Sequence, residues 1–455
     1  MKNYIYISLI LTTCLFLSSC GEDELELAPQ SEIAETNFYN NDREVEGAVL
    51  AIYDGLQELA LREFALTEMR SDNTKSRSNE GDWAQFDQLN VAPTNYAVGL
   101  YWSVNYNVIF RANTVLAHLD VVQNETAKDQ FEGEAKFTRA LANFNLVQAY
   151  GDVPLIDQVV GITDADYFDR DDKNLVLALI VSDLKEAKEL LPTKTGTEFG
   201  RATSAAAAAL LAKVYLTQKN YSEAKVLLNE LIVDSNYSLE DDYSDIFYSE
   251  GNDEILFAIP YYDDDSEESQ DFSFEMSLGG GTGLNFLTSD FVNSADPTDT
   301  ERAEVLFNPL DTYTIAKFLT SSSNARLCGN DWIVLRMADV YLMHAEAIMN
   351  GNNFTEDVRA IESYNIIRAR VSLSTLPEDG TAQLTKEVLL YERRMELAFE
   401  NHRFYDLIRF DLADEILGDY LTSTGYTYNP NGLLLPIPQS EINVSDGLLT
   451  QNPGY

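Results

Sequence analysis

The chain has 455 residues and an ordinary apolar content of 45%, but it carries 75 acidic against 31 basic side chains. This length and composition indicate a globular protein with a sizeable core, and three cysteines are too few for a disulfide framework. A formal net charge of −44 repels phosphate and anionic lipid, which argues against nucleic-acid binding and favours an uncharged ligand.

The first 40 residues are typical of an export signal rather than of a folded domain. A short basic start precedes an apolar run over residues 4–17, which is followed by two serines and Cys20. This order indicates a secretory signal, and a cysteine at that place resembles a bacterial lipobox, although a plain signal peptide with an incidental cysteine has the same outline. The sequence therefore predicts a signal peptide over residues 1–19, lipid on the Cys20 thiol and an acidic tether over residues 20–40.

Most of the chain beyond the tether has the apolar spacing of helices. Apolar residues recur three or four positions apart in four segments, and Gly151 and Pro192 mark the ends of the last two. The spacing predicts helices over residues 42–61, 101–119, 128–150 and 175–191. Between the first two lies a polar, turn-rich stretch over residues 66–96 that holds isolated aromatic residues.

Two later stretches have the alternation of small and large residues that is typical of tetratricopeptide-like helix pairs. The predicted pairs are residues 205–215 with 223–232, and residues 333–349 with 358–370. Residues 237–330 break the pattern with a predicted short strand over 254–261, an acidic run and a glycine loop at 279–283. A loop region this long inside a compact domain is usually functional or disordered, so we expect an insertion that contributes to ligand binding.

Charged residues crowd among apolar ones at residues 392–409, and two interpretations compete there. Paired carboxylates such as Glu396 and Glu400 could act as acid and base on a glycosidic bond. Alternatively, the acids form ion pairs with Arg403 and other bases three or four positions away, and these pairs fix helix packing. The second interpretation is favoured because every acid has a base within one turn. The three histidines share no metal spacing, so we expect no metal site, no cofactor and no catalysis.

Candidate ligand-binding residues are sought on loops, because sugar recognition needs a ring for stacking and planar polar groups for the hydroxyls. The polar loop after the first helix offers both, which makes Asp72, Asn73 and Trp83 the first candidates. The other candidates are Tyr96, Tyr261, Tyr262, Phe286, Trp332 and Arg368. Three of the nine candidates could instead have a structural role. Trp83 could pack the loop against the body, Trp332 could be a core residue at the start of a helix, and Arg368 could pair with a helix carboxylate.

Five segments, in order along the chain, resemble the SusD/RagB family of outer-membrane nutrient-binding lipoproteins. The most specific is Glu392-Arg-Arg-Met-Glu-Leu-Ala-Phe-Glu-Asn-His-Arg-Phe-Tyr-Asp-Leu-Ile-Arg409. The others are residues 134–154, 335–347, 364–370, and 435–442 with 451–455. The segments and the lipobox together extend from the start of the chain to its last residue.

The resemblance implies a mostly α-helical fold over residues 41–455: an α-α superhelix of four tetratricopeptide-like helix pairs with an irregular, loop-rich binding lobe. It implies a non-catalytic surface protein, without a cofactor, that captures oligosaccharides and delivers them to a SusC-like TonB-dependent transporter. It also implies a place at the outer membrane, lipid-anchored and facing the cell exterior. The residues alone leave two other classes open: a surface glycoside hydrolase or lyase, and a repeat-based adaptor for peptides or proteins.

Overall fold

The computed structural model describes residues 38–161, 164, 167–234, 236–277, 283–310 and 313–455. The predicted signal peptide (residues 1–19), the predicted lipidation site Cys20 and all but the end of the predicted tether therefore lie outside the described residues. So do residues 278–282, which hold most of the predicted glycine loop. In the described part of the chain, no helix combines the length and the apolar character needed to cross a membrane.

The described chain is mainly helical, with three small two-stranded sheets. The helices are α1 (Asp42–Leu66), α2 (Ala84–Asp87), α3 (Tyr96–Ala117), α4 (Glu125–Tyr150), α5 (Lys173–Leu190), α6 (Ser204–Thr217), α7 (Tyr221–Ile232), α8 (Asp245–Tyr248), α9 (Phe272–Ser277), α10 (Ser289–Ser294), α11 (Thr300–Leu306), α12 (Met337–Met349), α13 (Val358–Arg370), α14 (Lys386–Glu396), α15 (Arg403–Arg409), α16 (Ala413–Thr424) and α17 (Gln439–Val444). The strands are β1 (Thr74–Ser76), β2 (Ile255–Ile259), β3 (Asn285–Leu287), β4 (Trp332–Arg336), β5 (Phe354–Thr355) and β6 (Leu384–Thr385).

Eight of these helices form four pairs that follow one another along the chain: α1 with α3, α4 with α5, α6 with α7, and α12 with α13. Each pair also packs against the next, through α3 and α4, α5 and α6, and α7 and α12. The predicted class, mostly α with tetratricopeptide-like helix pairs, is therefore confirmed for the described residues. The predicted insertion over residues 237–330 separates α7 from α12 in sequence, yet these two helices are in direct contact.

Local sequence signals place the ends of the helices. At many N-caps, among them those of four long helices, the side chain accepts a hydrogen bond from a backbone N–H group in the first turn, which has no partner inside the helix. The caps of those four helices are Asn41, Asn95, Asn124 and Thr203. At the other end of α4, Gly151 takes a φ of +77°, a conformation that favours glycine, so the predicted stop is confirmed.

Side-chain size explains how closely the helix pairs approach each other. The apolar residues whose spacing predicted α1 are all buried: Val45, Val49, Ile52, Leu56 and Leu59. The alanines of α6 are buried as well, and four of them have no exposed surface: Ala206, Ala207, Ala209 and Ala212. Because these side chains are small, α5 and α7 both pack closely on α6.

The start of the fourth pair differs from the prediction. Residues 333–336, expected to begin a helix, lie in β4, which runs antiparallel to β2 and places Trp332 opposite Ile259. All residues of β2 are buried, so a partner strand satisfies backbone groups that would otherwise lose their hydrogen bonds. The helix begins only at Met337. From the apolar spacing we predicted a single helix over residues 333–349, whereas this stretch contains the end of a strand followed by a helix.

The β1–β3 sheet joins the polar loop after α1 to the insertion. Lys75 of β1 lies opposite Phe286 of β3. Just beyond β3, the hydroxyl of Thr288 donates to the carbonyl of Asp72 at 2.7 Å, and its N–H donates to the carbonyl of Asn73 at 3.0 Å. Candidate binding residues from two distant parts of the chain are thus brought together.

Candidate functional site

The first two candidates, Asp72 and Asn73, are buried. Both carboxylate oxygens of Asp72 accept hydrogen bonds from Arg403, at 2.7 and 2.8 Å, and Arg394 lies 3.1 Å away. Arg394 also donates to the side-chain oxygen of Asn73 at 2.8 Å. Burial by itself would raise the pKa of Asp72, but the two guanidiniums outweigh it and hold the pKa at about 2. These contacts fix the loop to α14 and α15.

Two further aromatic candidates, one in the insertion and one just after it, are also held inside the fold. Trp332 and Tyr261 are each only 2% exposed. The Trp332 indole N–H donates to Glu63 at 2.9 Å, and the Tyr261 hydroxyl donates to the carbonyl of Gln57 at 2.7 Å. Both partners belong to α1, so the two rings lie beneath that helix. Trp332 is part of the core, as its structural alternative stated, although it lies in a strand and not at the start of a helix.

Arg368 and Trp83 also follow the structural alternatives considered for them. Arg368 donates to Glu392 of α14 at 2.8 Å, which makes it the partner of a helix carboxylate. The half-buried Trp83 ring stacks on Phe64, with centroids 6.0 Å apart and ring planes at 20°. The Trp83 ring therefore holds its loop against the end of α1.

The three remaining candidates have accessible rings. Tyr96, the first residue of α3, is 71% exposed, and Tyr262 is 56% exposed. Phe286 is half-buried, and the guanidinium carbon of Arg77 lies 5.7 Å from its ring centroid. Tyr262 stands apart from the other two, beside the middle of α1.

Residues 75–82 run between the rings of Phe286 and Tyr96. The β1–β3 register places the start of this stretch beside Phe286. At its other end, the Asn95 side chain donates to the carbonyl of Asp82 at 3.0 Å, directly before Tyr96. We call residues 75–82 together with Tyr96 and Phe286 the loop face.

The loop face combines aromatic rings with polar side chains. Its exposed polar residues are Lys75, Arg77, Ser78, Asn79, Glu80 and Asp82. Gln88 borders it, donating to the carbonyl of Asn79 at 3.1 Å and to the Tyr426 hydroxyl at 3.4 Å. Neither Gln88 nor Tyr426 was a candidate, because they are 338 positions apart and no local pattern relates them. Such a surface suits a sugar, whose apolar face stacks on a ring while its hydroxyls bond to polar groups.

The two glutamates that resembled a catalytic pair, Glu396 and Glu400, and the nearby Glu392 are all bound to basic side chains in the core. Glu392 pairs with Arg302 and Arg368, Glu396 with Arg336 and Arg370, and Glu400 with Arg336 and Lys317. Burial would raise the pKa of Glu400, but Arg336 and Lys317 outweigh it and hold the pKa at about 2. Glu400 therefore has no proton to donate near neutral pH. This arrangement supports a structural role for the segment.

The partners of these charges lie farther apart in sequence than expected. Within residues 392–409, the pair Arg409–Asp406 has the predicted i,i+3 spacing. Arg393 instead donates to Asp339 of α12 at 2.8 Å and to Asp406 of α15 at 2.8 Å. The prediction of mainly local pairs is thus wrong, because most of these bonds join separate helices and strands.

Comparison with known proteins relates this chain to families of binding proteins. Residues 307–455 match the model of the SusD family, and residues 25–216 match a model described as starch-binding associating with outer membrane. SusD-like protein P2 of Formosa agariphila is 26% identical, over 97% of this chain and 98% of the relative. The chain belongs to the SusD/RagB family.

Solved SusD-like structures share the superhelix. A laminarin-binding SusD-like protein has a TM-score of 0.77 at 26% identity, over 92% of this chain and 100% of the other. Surface glycan-binding protein A from Bacteroides thetaiotaomicron, in complex with laminarihexaose, has a TM-score of 0.77 at 22% identity, over 90% and 99%. Proteins of the SusD/RagB family are binding proteins without a catalytic function. The prediction that this chain is not an enzyme is thereby confirmed.

Proposed function

We propose that this SusD/RagB protein binds a neutral oligosaccharide or polysaccharide at the loop face. The observation that supports this is the position of residues 75–82, all exposed except the buried Ser76, between two accessible rings, Tyr96 and Phe286. The rings offer stacking surfaces for sugar units, and side chains such as Arg77 offer donors for their hydroxyls. The ion pairs of Asp72 hold the loop in place before ligand arrives, which reduces the entropy lost on binding.

Charge and similarity narrow the class of ligand. A chain with a net charge of −44 repels anionic polysaccharides. The two basic residues of the loop face, Lys75 and Arg77, are offset there by Glu80 and Asp82. One solved relative is described as laminarin-binding, and laminarin is an uncharged glucan. Neutral glucans are therefore the proposed class, with laminarin as the first probe.

The proposal is tested by affinity electrophoresis of the purified protein in gels that contain laminarin, other neutral polysaccharides or an anionic one such as alginate. Laminarin is expected to retard the protein without being degraded. Phe286→Ala is expected to weaken laminarin binding about tenfold, since a lost stacking contact costs roughly 1–2 kcal/mol. Phe354→Ala is the matched control, because Phe354 is 47% exposed on β5, outside the loop face.

Two outcomes would count against the proposal. Retardation that survives Phe286→Ala unchanged would place the ligand away from the loop face. If no polysaccharide retards the unaltered protein, glycan binding itself is contradicted, and the adaptor for peptides or proteins becomes the better interpretation.

We further propose that lipid on Cys20 anchors the protein to the outer membrane, facing the cell exterior, and that the bound glycan passes to a SusC-like TonB-dependent transporter. The lipobox-like residues before Cys20 and the outer-membrane description of one matching family model support this. Cys20→Ala is expected to abolish labelling by radioactive palmitate and to release the protein from membranes. A TonB-dependent barrel is expected to co-purify with the lipidated form. Persistent labelling of the variant would contradict the anchor, and a barrel-free preparation would contradict the partner.

A further inference from the structure

Tyr262, the exposed candidate outside the loop face, lies between two pockets. One has a volume of about 250 Å³ and is bordered by Tyr262, Phe199 and Gln57. The other has a volume of about 380 Å³ and is bordered by Tyr262, Tyr248 and Asp331. The exposed fractions of Phe199, Tyr262 and Tyr248 are 38%, 56% and 47%. Three accessible rings are therefore distributed over two adjoining pockets, with the middle ring shared by both.

The two outer rings are held in place by neighbouring parts of the fold. The Tyr248 hydroxyl donates to the carbonyl of Ala316 at 2.5 Å. The Phe199 ring packs beside Gly251, where an added Cβ would be in ordinary van der Waals contact with it, 3.6 Å away. Rings that are already oriented lose little conformational entropy when a ligand stacks on them.

The larger pocket also has polar groups that suit sugar hydroxyls. The half-buried Asp331 carboxylate receives a single hydrogen bond from the described residues, from the Tyr261 N–H at 3.2 Å. Its remaining acceptor sites are therefore available at the pocket. Burial, opposed by that hydrogen bond, raises the pKa of Asp331 to about 7, so the carboxyl both accepts and donates near neutral pH. Asn330 and Ser321 border the same pocket.

These pockets lie at a different place along α1 from the loop face. The α1 residues that border the smaller pocket extend from Leu50 to Gln57. The loop face follows the end of α1 at Leu66, which lies about 14 Å from Gln57 along the helix axis. No residue of the loop face borders either pocket.

We propose that Phe199, Tyr262 and Tyr248 form a second glycan-binding surface, on which a linear neutral polysaccharide lies with Tyr262 between sugars seated in the two pockets. This inference rests on the glycan binding proposed for the loop face and adds a second site for the same ligand class. When one chain of ligand reaches both sites, the second contact is intramolecular. The gain in affinity is therefore larger for a polymer than for a short oligosaccharide.

The test measures laminarin affinity in protein that already carries Phe286→Ala, so that the weakened loop face contributes less and the second surface contributes a larger share of the binding. In this background, Tyr262→Ala is expected to weaken the residual affinity about fivefold to tenfold, the size of a lost stacking contact. Phe354→Ala in the same background is expected to change it less than about twofold, as for an exposed residue without a role. Tyr262→Trp restores a ring and is expected to retain binding, which separates lost stacking from misfolding.

Each outcome has a distinct meaning. Equal affinities for Tyr262→Ala and Phe354→Ala, or no residual binding once Phe286 is replaced, overturn the second surface and leave the loop face standing. Unchanged affinity in Phe286→Ala alone, followed by a loss on Tyr262→Ala, supports the second surface and overturns the loop face. No polysaccharide binding by the unaltered protein overturns both.

Discussion

Replacing Arg336 by Ala is expected to destabilise the folded protein by about 3–5 kcal/mol, the cost of removing the shared cation from a buried group of carboxylates that then keeps Arg370 and Lys317 as its closest partners. The Arg336 side chain is 1% exposed and bonds to Glu254, Glu396 and Glu400 at 2.7–2.8 Å. These carboxylates come from the residue before β2, the end of α14 and the turn before α15. One guanidinium therefore joins three segments, and its removal leaves three carboxylates facing one another in the core.

Urea unfolding followed by circular dichroism measures this effect, since urea, unlike guanidinium chloride, does not screen charges. Arg359→Ala is the matched control: Arg359 pairs with Asp357 at 2.6 Å, but its side chain is 61% exposed, and exposed pairs contribute little. Arg336→Lys retains the charge and loses the planar fork, so its urea midpoint should lie between those of the wild type and Arg336→Ala. Equal midpoints for Arg336→Ala and Arg359→Ala would contradict the structural role of the network.

Replacing Asp72 by Asn is expected to cost about 3 kcal/mol and to weaken glycan binding through displacement of the loop face. The Asp72 carboxylate is the shared partner of Arg403 and Arg394, which are 6% and 8% exposed. An amide keeps the shape of the side chain but removes its charge. Arg403 then lacks its counter-ion, and Arg394 keeps only the exposed Asp290, at the point where the loop meets α14 and α15. The midpoint of urea unfolding measures the loss of stability, and the laminarin affinity of the same preparations measures the loss of binding.

Arg403→Met distinguishes this clamp from direct contact between Asp72 and the ligand. Arg403 is outside the loop face, so a clamp predicts a similar loss of stability and affinity from either substitution. The double variant should be little worse than either single one, as expected for residues that share one interaction. A loss of affinity in Asp72→Asn at an unchanged unfolding midpoint would instead favour direct ligand contact, as the sequence-based interpretation had it.

The helices were predictable because their causes are local. The apolar stripe of α1 lies within a few turns, and its cap at Asn41 and the stop of α4 at Gly151 depend on one or two residues. The same holds for the small residues of α6, which predicted close helix pairing. The predicted end of α1 and start of α3 were each five residues short of the observed ones. The start of α12 at Met337 was misplaced because the preceding strand forms only where β2 lies alongside.

The charges at residues 392–409 show where local reasoning fails. Each acid has a base within one turn in the sequence, yet Glu396 pairs with Arg336 and Arg370, which lie 60 and 26 positions away. A buried charge needs several partners to offset its desolvation, and one helix face seldom supplies them. The basic partners therefore lie on other helices and strands, and they cannot be predicted from the spacing of residues along one helix.

The sequence by itself determined the helical class, the pairing of consecutive helices and the resemblance to SusD/RagB proteins, because apolar period, caps and motifs act over short distances. Only the tertiary structure decided which candidate residues face solvent: Tyr262 in the insertion and Trp332 just after it are both aromatic candidates, yet Trp332 is 2% exposed and Tyr262 56%. Exposure depends on which distant segments fill the space around a side chain. For Trp332 these segments include α1, 269 positions away at Glu63, and for Tyr262 the adjoining space is left open as two pockets.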